Sequence, residues 1–252
     1  SVLAACVWPR ARIAALLCAT LALGGLLAYV GQTYQTGADA WQLFAAWAAL
    51  SLIWVGLARS DVLWTVWVAI VATGIAAWSG RLDMANILFV EARDVAPLLL
   101  RVGLWLALAL VPALVSMLPF LRVQGGMGWW SHRLAVACAL AVWTGMAVVQ
   151  IFDNGSHGRG LVLLAVLLLL GLTLWVSLTG PLQDFVPVCL VVLAGNVLAL
   201  TAVARLMWHG GDEGGLLVLA LAALLCLGGS VRGLLVVQHR IHSGPQTGQE
   251  VV

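Results

Sequence analysis

The sequence predicts an all-α fold: a polytopic transmembrane helix bundle of about eight spans joined by short loops, at roughly 20 apolar residues per crossing. Three observations predict it. Hydrophobic residues make up 63% of the 252 and charged residues 9%, with a mean hydropathy of +1.07, whereas a soluble domain is about half apolar and about a quarter charged. The apolar residues run in stretches long enough to cross a bilayer, and the breaks between them are short and made of Gly, Pro, Asp, Asn and Arg, the residues that punctuate helices. Eight such crossings use up the chain, which leaves no space for an extramembrane domain.

The spans run in order along the chain. The first covers residues 12–30 and is Ala/Leu-rich up to the interfacial Tyr29. Residues 31–39, G-Q-T-Y-Q-T-G-A-D, interrupt it. The second covers residues 41–58, and the Arg59, Ser60, Asp61 turn is short enough to force an antiparallel hairpin with the third, residues 62–78. Trp64, Trp67 and Trp78 read as aromatic anchors of that third span. Residues 79–97 mix Arg81, Asp83, Glu91, Arg93 and Asp94 with apolar side chains at near-helical spacing, which predicts a short amphipathic segment on the membrane surface. The fourth span, 98–118, contains Pro112, and a glycine-rich loop with the Trp129, Trp130 pair leads to the fifth, 134–152. The sixth, 161–178, ends at Gly180 and Pro181. The seventh, 185–207, carries Pro187 in its first turn, where proline is tolerated, and the eighth covers 216–237. Residues 1–237 therefore form one transmembrane domain, and the polar residues 238–252 are expected to be a disordered cytoplasmic tail. Residues 1–8 are already apolar and lack the basic, apolar and small-residue order of a signal peptide. They read as the end of an upstream span in a longer product.

Orientation is set by arginine. With the start cytoplasmic, seven arginines (Arg10, Arg12, Arg59, Arg122, Arg133, Arg232, Arg240) fall on the inner side and five on the other, which places both ends inside. Residues 31–39 then face outward.

Composition also excludes chemistries. There is no Lys, which removes Schiff-base and P-loop lysines. The net charge of +2 comes from scattered arginines, so no nucleic-acid partner is expected. The five cysteines are isolated in apolar segments and read as small buried hydrophobes. No local motif of a hydrolase, zinc peptidase or nucleotide-binding loop is present, and no catalytic residue, cofactor or metal site is expected. His209, Asp212 and Glu213, with His157 and Asp153, are of ligand type, but their spacing matches no ligand pair and they read as solvated loop residues.

Residues 31–39 and the start of the next span offer binding chemistry instead. Gln32, Tyr34, Gln35, Thr36 and Asp39 supply amides, a phenol, a hydroxyl and a carboxylate, and Trp41 and Trp47 supply aromatic faces. Such groups suit a polar ligand with apolar parts, or a partner chain. The same residues also suit a capped turn, with Asp39 as N-cap of the second span and Gly37 at a helix end. Both readings stay open from the residues.

The run G-Q-T-Y-Q-T-G-A-D-A-W-Q-L-F-A-A-W-A-A-L (residues 31–50), with A-R-S-D after it at 58–61, resembles a family of bacterial membrane proteins known as domain of unknown function 2157. The recognisable part spans roughly residues 31–67. The resemblance implies a bacterial inner-membrane protein with further residues before the motif, and association with other membrane subunits. It implies no activity.

Within the spans, Asn196 lies near the middle of the seventh and Gln150 near the outer end of the fifth. An amide in hydrocarbon needs a partner, either a neighbouring helix or the lining of a passage. No Asp or Glu lies at the centre of a span, which argues against proton coupling. Gly229 and Gly233 form a small-xxx-small pair suited to close helix approach. Three functional classes are compatible with these residues: a binding or assembly component whose outer stretch meets a subunit, lipid or small ligand; a transporter or channel with a passage near Asn196; and, least supported, an intramembrane enzyme.

Overall fold

The computed structural model describes residues 2–33, 39–79, 95–118, 123, 128–152, 159–179, 183–208 and 215–242. Among them are eight helices and no strand: α1 (Val2–Thr33), α2 (Ala40–Ala58), α3 (Asp61–Trp78), α4 (Val95–Met117), α5 (Trp129–Phe152), α6 (Arg159–Thr179), α7 (Phe185–Trp208) and α8 (Gly215–His242). Seven are long and apolar enough to cross a membrane, and α4 carries the apolar stretch Leu99–Val115 within its length. In hydrocarbon every backbone group must be bonded within its own segment, and the helix does this. The chain is an integral membrane protein of multi-pass helical type.

Some boundaries differ from the sequence reading. α1 continues through Gly31 and Gln32 to Thr33, because nothing in that turn stops a helix before the polar run is fully entered. It also extends back to Val2, so residues 2–8 belong to the same helix as the first span. At the far end α8 carries Gln238 through His242, five residues that the polarity of the sequence assigns to the tail. The amphipathic segment expected at 79–97 lies, for residues 80–94, outside the described residues, as do Tyr34, Gln35, Thr36, His157, His209 and residues 243–252.

The chain forms two compact units, Ser1–Trp143 and Thr144–Val252. In the first, α2 packs most extensively on α3 and then on α1, and α4 packs on α3. The α2–α3 turn is as tight as expected: Arg59 closes α2 in the left-handed region (φ 52°, ψ 35°), Ser60 is extended, and α3 starts at Asp61. Val55, Leu63, Trp64 and Val115 form a buried core flanked by Leu16, Leu17, Trp54, Trp67 and Val111.

Indole groups tie these helices together. Thr20, fully buried on α1, accepts from Trp47 Nε1 at its carbonyl (2.8 Å) and from Trp54 Nε1 at its hydroxyl (2.9 Å). Trp67 Nε1 donates to the Ala48 carbonyl at 2.9 Å. With no water in the membrane core, an indole N–H has to find an acceptor on its neighbours. Trp67 follows this rule, whereas the indole N–H of Trp64, a side chain only 3% exposed, meets no acceptor among the described residues. The two rings meet edge to face at 5.5 Å as packing residues, not as the interfacial anchors that the sequence suggests. Hydroxyls behave likewise: Thr20, Ser51, Thr65, Thr73 and Ser79 each donate to the carbonyl four residues back, at 2.7–2.9 Å.

The start of α5 is capped from a distance. Gly128 precedes it and has no side chain, and the Asp61 carboxylate takes its place by accepting from Trp130 N (2.9 Å) and Ser131 N (3.1 Å). A Cβ at Gly128 would lie 2.9 Å from Asp61 Oδ1 and 2.7 Å from Ser131 Oγ, so only glycine lets the carboxylate in. Trp129 and Trp130 stay exposed, with the Arg133 guanidinium within 5.7 Å of both rings, as expected for interfacial aromatics.

In the second unit α7 packs on both α6 and α8. Asp184 caps α7 through Val186 N at 3.2 Å. Gly229 and Gly233 on α8 meet nothing within 4 Å of an added Cβ, so among the described residues the small-xxx-small pair seats no helix.

Candidate binding site in the first unit

The site grows from the start of α2, which follows the polar end of α1 in the chain. Gln32 is exposed on the last turn of α1. Asp39 stands at the N-cap of α2 in extended conformation (φ −62°, ψ 146°), and its carbonyl accepts from Gln42 N at 2.9 Å. Its carboxylate does not cap the helix. Instead Oδ2 accepts from Trp41 Nε1 at 3.3 Å, which ties the first indole of α2 to the polar turn.

Trp41 begins the wall of an apolar cavity of about 330 Å³. From α2 the wall takes Trp41, Phe44, Ala45 and Ala48, and from α3 it takes Val71, Gly74, Ile75 and Trp78. Both sets have the spacing i, i+3, i+4, i+7, one face of a helix, so two stripes meet across the groove. Leu100 and Leu104 of α4 complete it. From Trp41 to Ala48 the cavity runs along α2 for about 10 Å at the helical rise. Gly74 sets its closed edge: a Cβ there would lie 3.1 Å from Phe44 Cβ, so the two helices approach closely at that point. The open edge is lined by the exposed Ala45 and by Leu100, 53% exposed.

A cation sits beside this apolar wall. Arg101, between the lining residues Leu100 and Leu104, donates from Nη2 to the Ser79 carbonyl at 2.8 Å, the residue after Trp78. The site thus combines an apolar groove with Asp39 on the α2 side of its end and Arg101 on the α4 side.

The residues singled out in the sequence separate in the structure. Trp41 lines the groove, and Asp39 holds it. Trp47 does not reach the groove: its N–H is committed to Thr20, its ring lies against Gly24 and it stacks on Phe44 at 6.0 Å between centroids. Trp47 is a packing residue at the α1–α2 contact. In the second unit, Asn196 Nδ2 donates to Ser230 Oγ at 2.7 Å, and that hydroxyl donates back to Asn196 Oδ1 at 3.0 Å. Gln150 is buried, 2% exposed. Among the described residues no group of three or more His, Cys, Asp or Glu is gathered as a metal site would need. Sequence reasoning misses the α3 and α4 walls and Arg101. The helical stripe at 71, 74, 75 and 78 is legible, but nothing local says which stripe faces which.

One comparison with known proteins bears on this region. The sequence model of the family described as predicted membrane protein (DUF2157) matches residues 2–64. That quarter of the chain contains α1, α2 and the first turn of α3, hence the Thr20 indole acceptor, the polar turn and the α2 wall of the groove. No curated protein and no solved structure matches the chain.

Proposed function

We propose that this chain is a binding or assembly component of a bacterial inner-membrane complex, with residues 31–41 as its recognition element on the outer face and both chain ends on the cytoplasmic side. The observation that carries the reading is the groove beside Trp41, an apolar receptacle adjoining the exposed Asp39, whose carboxylate accepts from Trp41 Nε1. That pairing of apolar body and few polar contacts is what ligand and partner sites in proteins have in common. The passage reading through Asn196 draws no support from the geometry, since the amide bonds Ser230 in the way interhelical packing requires.

The test is a set of alanine replacements at Gln32, Tyr34, Gln35, Asp39 and Trp41 in the full chain. Membrane insertion is expected to remain, while the proteins or lipids recovered with the purified chain fall. Recovery unchanged across the whole set would sink the proposal.

A further inference from the structure

We infer that the groove between α2, α3 and α4 seats the hydrocarbon tail of a lipid with a net negative headgroup, and that Arg101 is the headgroup contact. This deepens the binding reading and rests on it. The wall is entirely apolar and aromatic, so it offers nothing to a polar solute. Its volume of about 330 Å³ is at the lower end of ligand pockets, roughly 300–1,000 Å³. The open edge at Ala45 and Leu100 belongs to faces that a membrane protein turns to lipid, so a tail can enter sideways without crossing the protein.

An apolar wall alone does not choose among lipids. The surrounding tails are as apolar as the groove, so moving one inside brings no hydrophobic gain, and discrimination has to come from the polar end. There the structure places a cation. Arg101 lies in the second turn of α4, within snorkelling reach of the interface. Of its five donors, the Ser79 carbonyl takes one, and among the described residues no carboxylate is paired with it. A guanidinium with no carboxylate partner among the described residues is costly at that depth, and its planar fork matches phosphate oxygens. Asp39, the acid at the same end, is bonded to Trp41 Nε1 on the α2 side, which leaves the α4 side to the anion.

The experiment uses the full chain purified and reconstituted with equimolar phosphatidylglycerol and phosphatidylcholine, with native mass spectrometry of the retained lipid as the readout. Wild type, Ala45→Trp, Arg101→Gln and Arg101→Lys are compared, each first shown to be monodisperse. Wild type is expected to favour the anionic lipid by roughly five-fold, the size of one basic side chain acting on an anionic headgroup. Arg101→Gln should bring the ratio close to one while lipid is still retained, and Arg101→Lys should keep much of the preference. Ala45→Trp, which fills the groove from its open side, should lose both lipids. A wild-type ratio near one, or a preference that survives in Arg101→Gln, overturns the headgroup assignment; if Ala45→Trp still loses lipid in that case, the binding reading stands without it. Retention in Ala45→Trp equal to wild type overturns the groove as the seat, and the alanine set at residues 32–41 then judges the binding reading by itself.

Discussion

Asp61 opens α3, and its carboxylate completes α5, nearly seventy residues later in the chain. At the first turn of a helix the unbonded N–H groups need an acceptor, and a residue just before the helix usually supplies it. Here Gly128 cannot, and the absence of its side chain is what admits Asp61. Asp61→Ala is expected to lower stability by about 0.5–2 kcal/mol, the range for loss of a cap, and Asp61→Asn by less, because one oxygen acceptor remains. Reversible unfolding in mixed micelles measures both. Equal stability of the alanine variant and the wild type would mean that the distant cap contributes nothing.

At the scale of elements, the α1–α2 contact depends on one glycine rather than on the pair. Gly24 and Gly25 are adjacent in sequence, yet an added Cβ at Gly24 would overlap the Trp47 ring, and one at Gly25 would meet nothing within 4 Å. The Trp47 ring cannot easily swing aside, since its N–H is held by the Thr20 carbonyl. Gly24→Ala should therefore cost about 1–3 kcal/mol as an overpacked contact, while Gly25→Ala should be neutral or slightly favourable through helix propensity. Thermal unfolding of the two variants side by side decides this; the same midpoint for both would contradict the placement of Trp47. The α7–α8 contact relies on a different device, the reciprocal pair of Asn196 and Ser230, whose removal in membrane proteins costs on the order of 0.6–2 kcal/mol.

For the whole molecule, the helix count has a topological consequence. If each of the eight described helices crosses the membrane and the stretches between them do not, α2 to α8 make seven crossings between Asp39 and the end of α8, so those two points face opposite sides. With the native cysteines replaced by alanine, Asp39→Cys should be labelled from outside intact cells and Gln238→Cys only after permeabilisation. Labelling of both from the same side would mean that one helix fails to cross, and α4, with the shortest apolar stretch, would be the first suspect.

Whatever the membrane solvent dictates is already legible in the amino-acid order of this chain. Hydrocarbon forbids unbonded backbone, so apolar stretches of crossing length have to be helices, and their number, order and approximate ends can be read directly. The Arg59–Asp61 hairpin is legible for the same reason, because two crossings joined by three residues can only be antiparallel neighbours. The polar turn and Trp41 are also legible, as departures from that apolar background. Which face of each helix meets which neighbour is settled by packing in three dimensions alone. In a bilayer nearly every face is apolar, so the hydrophobic pattern that orients helices in water is silent here. That is why Trp47, Trp64 and Trp67 read as binding or interfacial residues until their positions against Thr20, Ala48 and one another are known. It is also why Asp61 cannot be recognised from the sequence as the cap of α5. The groove has the same origin: its two stripes can be counted along the chain, but the space between them exists only because Gly74 brings α3 against Phe44 and α4 closes the remaining side.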